Sequence, residues 1–354
     1  KDRGGAISNG SPSSYSGSSG DTNTGDIIIQ GCHFEECTSS LGGCISSHDG
    51  TEQADEETNI TDCIFERCEA STLGSCIYSL TYRFYLSNSK FSEQTKGTSM
   101  IYLKMNEKVN PLIYNCTFVN NEINSVSCEV DGTLIMQNCT FREYSTNELL
   151  NPSSMLSKGN ESGNIFDGCI FEDTTKCGVY IESGIHTFNN CIFQNINTET
   201  ASKKALYVKT PSEYDNEFAT IFVNGCTFIN NSGLSQGGAV FINSKTVASF
   251  DNNRFINNHV NPGLFDRAQG GSVYIKQFTE PIIFTISNCY FENDSSSGTG
   301  GSIYCEFYDI TYSGSSDKMY DIPIIIDNCQ FKKCSSKDRG GAISNGSPSS
   351  YSGS

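Results

Sequence analysis

The seven residues Leu112-Ile113-Tyr114-Asn115-Cys116-Thr117-Phe118 form a unit that recurs eleven times along this chain of 354 residues. The distance between successive copies varies from 22 to 40 residues, which indicates an array of similar elements with insertions between them. Counted at the final phenylalanine, the copies end at Phe34, Phe65, Phe91, Phe118, Phe141, Phe171, Phe193, Phe228, Phe255, Phe291 and Phe331.

The position three residues before each phenylalanine is always Asn, Asp or Gly. Glycine accepts a left-handed backbone because it has no Cβ, and Asn and Asp accept it because their short side chains bond locally. We therefore predict a bend with positive φ in every copy. The eleven bend residues are Gly31, Asp62, Asn88, Asn115, Asn138, Gly168, Asn190, Gly225, Asn252, Asn288 and Asn328.

The residues on both sides of this bend predict two short strands. The residue two positions before the bend is apolar in every copy, and the residue directly after it is Cys in nine copies. Since residues i and i+2 of a strand share one face, the cysteine and the phenylalanine are expected to point inward together.

A third element follows most copies, as in Gly42-Gly43-Cys44-Ile45 and Gly237-Gly238-Ala239-Val240. Paired glycines before a branched residue predict a turn into another strand. Three strands per repeat predict an all-β fold, a right-handed parallel β-helix of about eleven coils. An antiparallel sandwich is the alternative, but it would show two-residue hairpin turns.

Two short motifs give the chain a resemblance to a known family. Gly-Gly-Ala followed by an aliphatic residue occurs at 4–7, 237–240 and 340–343, and Phe-x-x-Asn occurs at Phe118, Phe228 and Phe255. In these motifs the chain resembles the polymorphic outer-membrane proteins, surface adhesins of intracellular bacteria with related chains in some protists. The resemblance implies an exported β-helical adhesive or structural protein at the cell surface, with no catalytic residues.

The composition excludes some partners. The net charge is −17, from 23 basic and 40 acidic residues, so we expect no nucleic-acid partner. No apolar run is long enough to span a membrane, and no secretion signal is visible at Lys1, so we infer export from the resemblance and expect an extracellular location.

Seventeen cysteines suggest either disulfides or buried thiols. The nine in the Cys-x-Phe strands are expected to be mostly free, because stacked side chains point in parallel rather than at each other. Zinc is disfavoured because no Cys-x-x-Cys pair occurs and only four histidines are present. The better disulfide candidates are Cys37, Cys44, Cys68, Cys76, Cys128, Cys177, Cys305 and Cys334.

No triad, metal cluster or cofactor loop is legible, so we predict a protein that is not an enzyme, with no catalytic, cofactor or metal residue. One enzyme hypothesis has a geometry behind it. Glu35 and Glu66 are expected about 5 Å apart, the separation of the two carboxylates in a retaining glycosidase. A polysaccharide-binding or polysaccharide-cleaving β-helix is therefore the alternative function.

Surface recognition has two further candidates. A row of aromatic residues in the third strands either offers stacking faces to glycans and proteins or packs beneath covering loops: Tyr78, Tyr102, Tyr180, Tyr207, Phe241, Tyr274 and Tyr304. The candidate N-glycosylation sites are Asn9, Asn160, Asn230 and Asn293.

Residues 337–354 are identical to residues 1–18, at an offset of 336 residues. At this offset the next expected phenylalanine lies 39 residues beyond Phe331, within the range of the other spacings. We therefore predict that residues 1–354 are one continuous β-helix, that 1–336 is one tandem unit and that 337–354 begins the next. Copies stacked end to end would form an extracellular filament that grows by about 53 Å per repeat. Head-to-tail assembly of separate chains is the alternative.

Overall fold

The structure, a computed structural model, describes residues 4–9, 26–48, 56–105, 109–130, 132–144, 148–150, 163–198, 204–209, 218–243, 246–262, 268–278, 283–308 and 324–346. The chain divides into two compact units, Lys1–Ile170 and Phe171–Ser354. Over the described ranges the chain is all-β without helices, and its strands form the coils of a right-handed parallel β-helix, as predicted.

Each coil contributes a first, a second and a third strand, separated by turns. Within each unit the described strands pair in parallel with their equivalents in the next coil, except that the third strands Asn124–Val130 and Glu148–Leu150 belong to different sheets. In the first unit the first strands are Ile27–Gln30, Glu57–Thr61, Arg83–Ser87, Leu112–Tyr114, Ile135–Gln137 and Asn164–Asp167. The second strands are His33–Glu35, Ile64–Glu66, Lys90–Ser92, Thr117–Val119 and Thr140–Arg142. The third strands are Ile7–Asn9, Ile45–His48, Ile77–Leu80, Ser99–Met105, Asn124–Val130 and Glu148–Leu150.

The second unit repeats this order, and the second strand Ile170–Thr174 lies at the boundary of the two units. Its first strands are Gly184–Asn189, Ala219–Asn224, Thr246–Asp251, Phe284–Ser287 and Ile324–Asp327. Its other second strands are Ile192–Ile196, Thr227–Ile229, Arg254–Ile256, Tyr290–Glu292 and Gln330–Lys332. Its third strands are Cys177–Ile181, Leu206–Lys209, Val240–Asn243, Val273–Phe278, Ile303–Tyr308 and Ile343–Gly346.

Some coils also carry a short strand between the second and third, which the sequence did not predict. These strands are Thr38–Leu41, Glu69–Leu73, Ser232–Leu234, His259–Asn261, Ser295–Ser296 and Ser335–Ser336.

The predicted bend between the first and second strands, the first bend, is confirmed in all eleven copies. Its residues have φ between 49° and 64°. At Asn115 the side-chain Nδ2 donates to Oδ1 of Asn88 in the neighbouring coil at 2.8 Å. The thiol of Cys116, directly after the bend, donates to the carbonyl of Tyr114 at 3.3 Å. The other eight cysteines at this position make the same bond. The Tyr114 carbonyl also accepts from the Asn88 N–H of the preceding coil at 3.1 Å, so the thiol is a second donor to this carbonyl.

A second left-handed bend lies two residues after each phenylalanine, and it is absent from the sequence prediction. Its residues have φ between 50° and 59°: Glu36, Arg67, Glu93, Asn120, Glu143, Asp173, Asn195, Asn230, Asn257, Asn293 and Lys333. The residue that follows is turned inward. Asn231 is fully buried, its Nδ2 donates to the Phe193 carbonyl at 2.9 Å, and its Oδ1 accepts from the Ile196 N–H at 3.1 Å. The asparagine of Phe-x-x-Asn thus bridges two coils.

The phenylalanines form a column in the core of each unit. In the first unit Phe91 lies between Phe65 and Phe118, with ring centroids 4.7 and 5.0 Å away. In the second unit Phe255 lies between Phe228 and Phe291, at 4.8 and 4.7 Å. These contacts follow from the spacing of adjacent strands, since equivalent side chains are stacked one above the other. The repeated phenylalanine therefore fixes the register of the coils.

Candidate functional site

The two copies of the repeated segment are both at sheet edges, and their strands are paired on opposite sides. In the first unit, Ile7–Asn9 pairs with the strand of the following coil, with Ile7 opposite Ile45. In the second unit, Ile343–Gly346 pairs with the strand of the preceding coil, with Ile343 opposite Ile303. The same amino-acid sequence thus begins the sheet of third strands in the first unit and ends the sheet of third strands in the second unit.

The two copies use complementary backbone groups. In the first unit the N–H groups of Gly4, Ala6 and Ile7 donate to the following coil, and Ile7 N–H meets the Cys44 carbonyl at 2.9 Å. In the second unit the carbonyl of Ala342 accepts from the preceding coil, at 3.0 Å from the Ile303 nitrogen. A strand with this sequence can therefore be hydrogen-bonded on both sides at once, because alternate residues of a parallel strand bond to opposite neighbours.

The second glycine of each Gly-Gly pair, Gly5 or Gly341, has different surroundings depending on whether another coil follows. A Cβ atom built on Gly5 would lie 2.2 Å from the carbonyl oxygen of Gly43 in that coil. The same atom on Gly341 would have one neighbour within 4 Å, the carbonyl oxygen of Cys334 at 3.8 Å. A Cβ atom on Gly43 or Gly301 would likewise lie 2.0 Å from a carbonyl oxygen of the next coil. Ser75 occupies the equivalent position beneath the coil of Ser99, so glycine is needed here where the next coil approaches as closely as it does at Gly5, Gly43 and Gly301.

The turn that presents the strand is determined locally. Gly4 and Gly340 have φ of 58° and 63°, and a Cβ atom on either would lie about 2 Å from the carbonyl oxygen three residues later. Both copies therefore take up the same turn, whichever side is paired.

The last coil of the second unit leaves part of its core face uncovered. Phe331 is partly exposed, whereas the ten equivalent phenylalanines are buried. Ile324 and Ile326 are also partly exposed, and Ile343 is 39% exposed. Within the described chain this end is an apolar surface bordered by strand edges, which is the kind of surface that another coil covers.

The four glycosylation candidates have different surroundings. Asn9 ends the strand Ile7–Asn9 and is partly buried. Asn230 and Asn293 lie at second bends in a ladder with Asn257, in which Asn293 Nδ2 donates to Asn257 and Asn257 Nδ2 donates to Asn230, both at 3.2 Å. Asn160 lies outside the described residues. Their glycosylation stays a prediction.

The predicted carboxylate pair is held by an arginine. Glu35 and Glu66 are opposite each other in adjacent strands, and Arg67 forms ion pairs with both and with Glu36 and Glu93. The hydrogen bond from Arg67 holds the pKa of Glu66 below its ordinary value. A glycosidase acid requires the opposite shift, so this geometry does not favour the enzyme hypothesis.

Most of the aromatic row of the third strands is covered, whereas Tyr78 and Tyr180 are partly exposed. Tyr102, Tyr207, Phe241, Tyr274 and Tyr304 are at most 7% exposed, and four of these five rings pack together in one cluster with Cys177. The Tyr274 hydroxyl also donates to Glu306. This burial favours packing beneath other parts of the chain over an open stacking surface.

The fold brings together four of the predicted disulfide candidates, Cys37, Cys44, Cys68 and Cys76, as free thiols, and the sequence analysis did not predict this grouping. Their spacing, Cys-x6-Cys followed after 23 residues by Cys-x7-Cys, repeats at the coil period. That period, rather than a local Cys-x-x-Cys pair, was the available signal.

No family model and no curated protein matches the chain. In the described part of the chain, no helix has the length and apolar character needed to cross a membrane.

Proposed function

We propose that this chain is part of a structural, adhesive extracellular filament in which tandem repeats of about 336 residues stack end to end as one β-helix. The observation that carries the proposal is the complementary use of backbone edges by two identical segments. Merging the two copies into one strand satisfies both edges, with the strand of Ile303 on one side and the strand of Ile45 on the other.

The side chains and the sequence support the same arrangement. A glycine stands at residue 341, where a following coil would need one, and the apolar residues around Phe331 would be covered by that coil. The Gly-Gly-Ala and Phe-x-x-Asn motifs resemble those of a family of surface adhesins, and this resemblance supports the adhesive and extracellular parts of the proposal.

The filament is tested with a two-repeat protein, in which residues 19–336 are joined after Ser354, and with longer versions built in the same way. Electron micrographs are expected to show rods that lengthen by about 53 Å for each added repeat, because each repeat adds eleven coils at about 4.8 Å. Gly341→Val provides the matched control, since a branched side chain there should block the junction while leaving each repeat folded.

Separate particles joined by a flexible link, without an increase in rod length, would contradict stacking. Fibres formed by single 354-residue chains would show that the same edges join separate chains instead. The adhesive part has its own test, in which binding of the two-repeat protein to a glycan array or to cell surfaces is expected without release of reducing ends.

A further inference from the structure

Four cysteine side chains of two adjacent coils meet in the interior of the first unit. The Sγ atoms of Cys37, Cys44 and Cys68 all lie within 4.8 Å of one another. Cys76 lies beside this group, close enough that its thiol and those of Cys44 and Cys68 shift one another's pKa. Cys44, Cys68 and Cys76 are fully buried, whereas Cys37 is partly exposed. The cluster is therefore enclosed and has one member at the surface.

The backbone holds these positions in register. Cys37 and Cys68 follow the second bends at Glu36 and Arg67, and Cys44 and Cys76 precede two paired third strands. The Cys44 N–H donates to the Cys76 carbonyl at 3.0 Å, and the Glu69 N–H donates to the Cys37 carbonyl at 2.9 Å. Because the main chain fixes both coils, the four thiols are brought together before any ligand binds.

The contacts do not divide the cluster into two exclusive pairs. Cys37, Cys44 and Cys68 all lie within 4.8 Å of one another, and the Cys76 thiol shifts the pKa of both Cys44 and Cys68. Equivalent cysteines of stacked coils also point in parallel, an unfavourable direction for a disulfide. In a tetrahedral zinc site, bonds of about 2.3 Å place the sulfur atoms about 3.8 Å apart. The sulfur atoms of Cys37, Cys44 and Cys68, which lie within 4.8 Å of one another, reach that geometry through small side-chain movements, and the Cys76 side chain moves toward them to supply the fourth ligand.

We infer that Cys37, Cys44, Cys68 and Cys76 form a site for a thiophilic metal ion, Zn²⁺, which ties together two adjacent coils. The four cysteines bind as thiolates, so zinc binding releases protons. The ion has no open coordination position and is structural rather than catalytic. The inference is independent of the filament proposal, since it concerns neighbouring coils within one unit.

A matched control exists in the second unit. Cys334 occupies the same position in its coil as Cys37 and Cys68, three residues after the phenylalanine. Its thiol donates to the Phe291 and Lys332 carbonyls at 3.7 and 3.5 Å, as the Cys68 thiol donates to Phe34 and Glu66 at 3.6 and 3.4 Å. Cys334 therefore shares the backbone role of Cys68, but Ala342 stands where Cys44 and Cys76 stand in the first unit.

The test is metal analysis of the 354-residue chain purified with zinc and a non-chelating reductant. One zinc ion per chain is expected, and Co²⁺ in its place should give the intense absorption of tetrahedral thiolate coordination. Cys44→Ala and Cys76→Ala should weaken zinc binding at least about 100-fold. Alanine already stands at this coil position at Ala6 and Ala342, so these variants are expected to fold.

Cys334→Ser should keep the full zinc content and the cobalt spectrum. Three results would overturn the inference: a zinc content at background level, equal zinc in Cys44→Ala and in the unmodified chain, or two disulfide bonds within the cluster in protein isolated from its natural source.

Discussion

The two copies of the repeated segment have one sequence but different neighbours. Comparing them shows which properties a coil determines by itself and which depend on stacking against another coil. The turn is the same in both, with φ of 58° at Gly4 and 63° at Gly340. The hydrogen bonds differ between the two copies, because the Ile7 N–H donates to the following coil whereas the Ala342 carbonyl accepts from the preceding one. Local conformation is therefore encoded in each coil, while burial and edge pairing depend on the coils beside it.

The phenylalanine column should show the largest effect of a missing neighbour. Phe118 is fully buried between Phe91 and Phe141, whereas Phe331 stacks on Phe291 and is partly exposed. Phe118→Ala should lower the free energy of unfolding by about 4 kcal/mol, and Phe331→Ala by about 2 kcal/mol. In the two-repeat protein, the loss at Phe331 should rise toward that at Phe118. Denaturant unfolding measures all four values, and equal losses in the single chain would contradict the comparison.

The buried carboxyl group of Asp294 makes stability depend on pH, because neighbouring coils exclude water from it. Its Oδ1 accepts from the Asn258 N–H at 2.9 Å, its Oδ2 has no hydrogen-bond partner among the described residues, and burial raises its pKa to about 7. The folded state thus binds the proton more tightly than the unfolded state. The contribution of Asp294 to stability should be greatest below about pH 4 and fall by up to about 4 kcal/mol as the pH rises to about 7. Asp294→Asn should remove this fall, and the exposed Asp327→Asn should not. A pH series of unfolding midpoints with the same slope in Asp294→Asn would refute this prediction.

Gly5 and Gly341 give the cleanest contrast between a stacked and an unstacked coil, because the two residues lie in identical sequences. Gly5→Ala places a methyl group against the Gly43 carbonyl and should cost about 2 to 3 kcal/mol, whereas Gly341→Ala should change stability by less than about 0.5 kcal/mol. In the two-repeat protein, Gly341→Ala should become as costly as Gly5→Ala. Thermal melting of the four proteins provides the test, and a harmless Gly5→Ala would show that no coil is tightly stacked there.

Substitutions at the first bend should cost the same with or without a neighbouring coil, because the strain of its left-handed backbone is local. Asn115 in an inner coil and Asn328 in the last coil have φ of 50° and 49°. Valine at either position should cost about 1 to 2 kcal/mol, with little difference between them. Tyr114→Val, at an exposed strand position beside the bend, is the control and should be nearly neutral. A much smaller loss for Asn328→Val than for Asn115→Val, measured by denaturant unfolding, would mean that the bend depends on its neighbours.

The fold was predictable wherever residue type and spacing agree. The first bends carry Asn, Asp or Gly in every copy, so their left-handed conformation can be read from the sequence. The second bends carry Glu36, Arg67 and Lys333 as well as asparagines. At these bends the stacking of the flanking backbone imposes positive φ even where the residue type does not favour it. Their constant distance of two residues after the phenylalanine was the sequence feature that could have predicted them.

The sites were less predictable because coils bring together residues that are distant in sequence. The four-cysteine cluster joins Cys37 to Cys76 across two coils, so a search for short cysteine motifs does not find it. Five of the seven residues in the aromatic row are buried, because exposure depends on the covering chain as well as on strand alternation. The edge complementarity required a structure, because the sequence reveals the identity of two segments but not which side of each is paired.

Amide hydrogen exchange at Ile343 tests the stacking of repeats most directly. The equivalent Ile7 N–H is bonded to the following coil, and the alternation of a parallel strand points the Ile343 N–H the same way. In the 354-residue chain, Ile343 should therefore exchange quickly while Ile7 is protected. In the two-repeat protein, residues 337–346 lie at the junction, and Ile343 should become at least about 100-fold slower, matching Ile7. An Ile343 amide that exchanges equally fast in both proteins would contradict a continuous β-helix across the repeats.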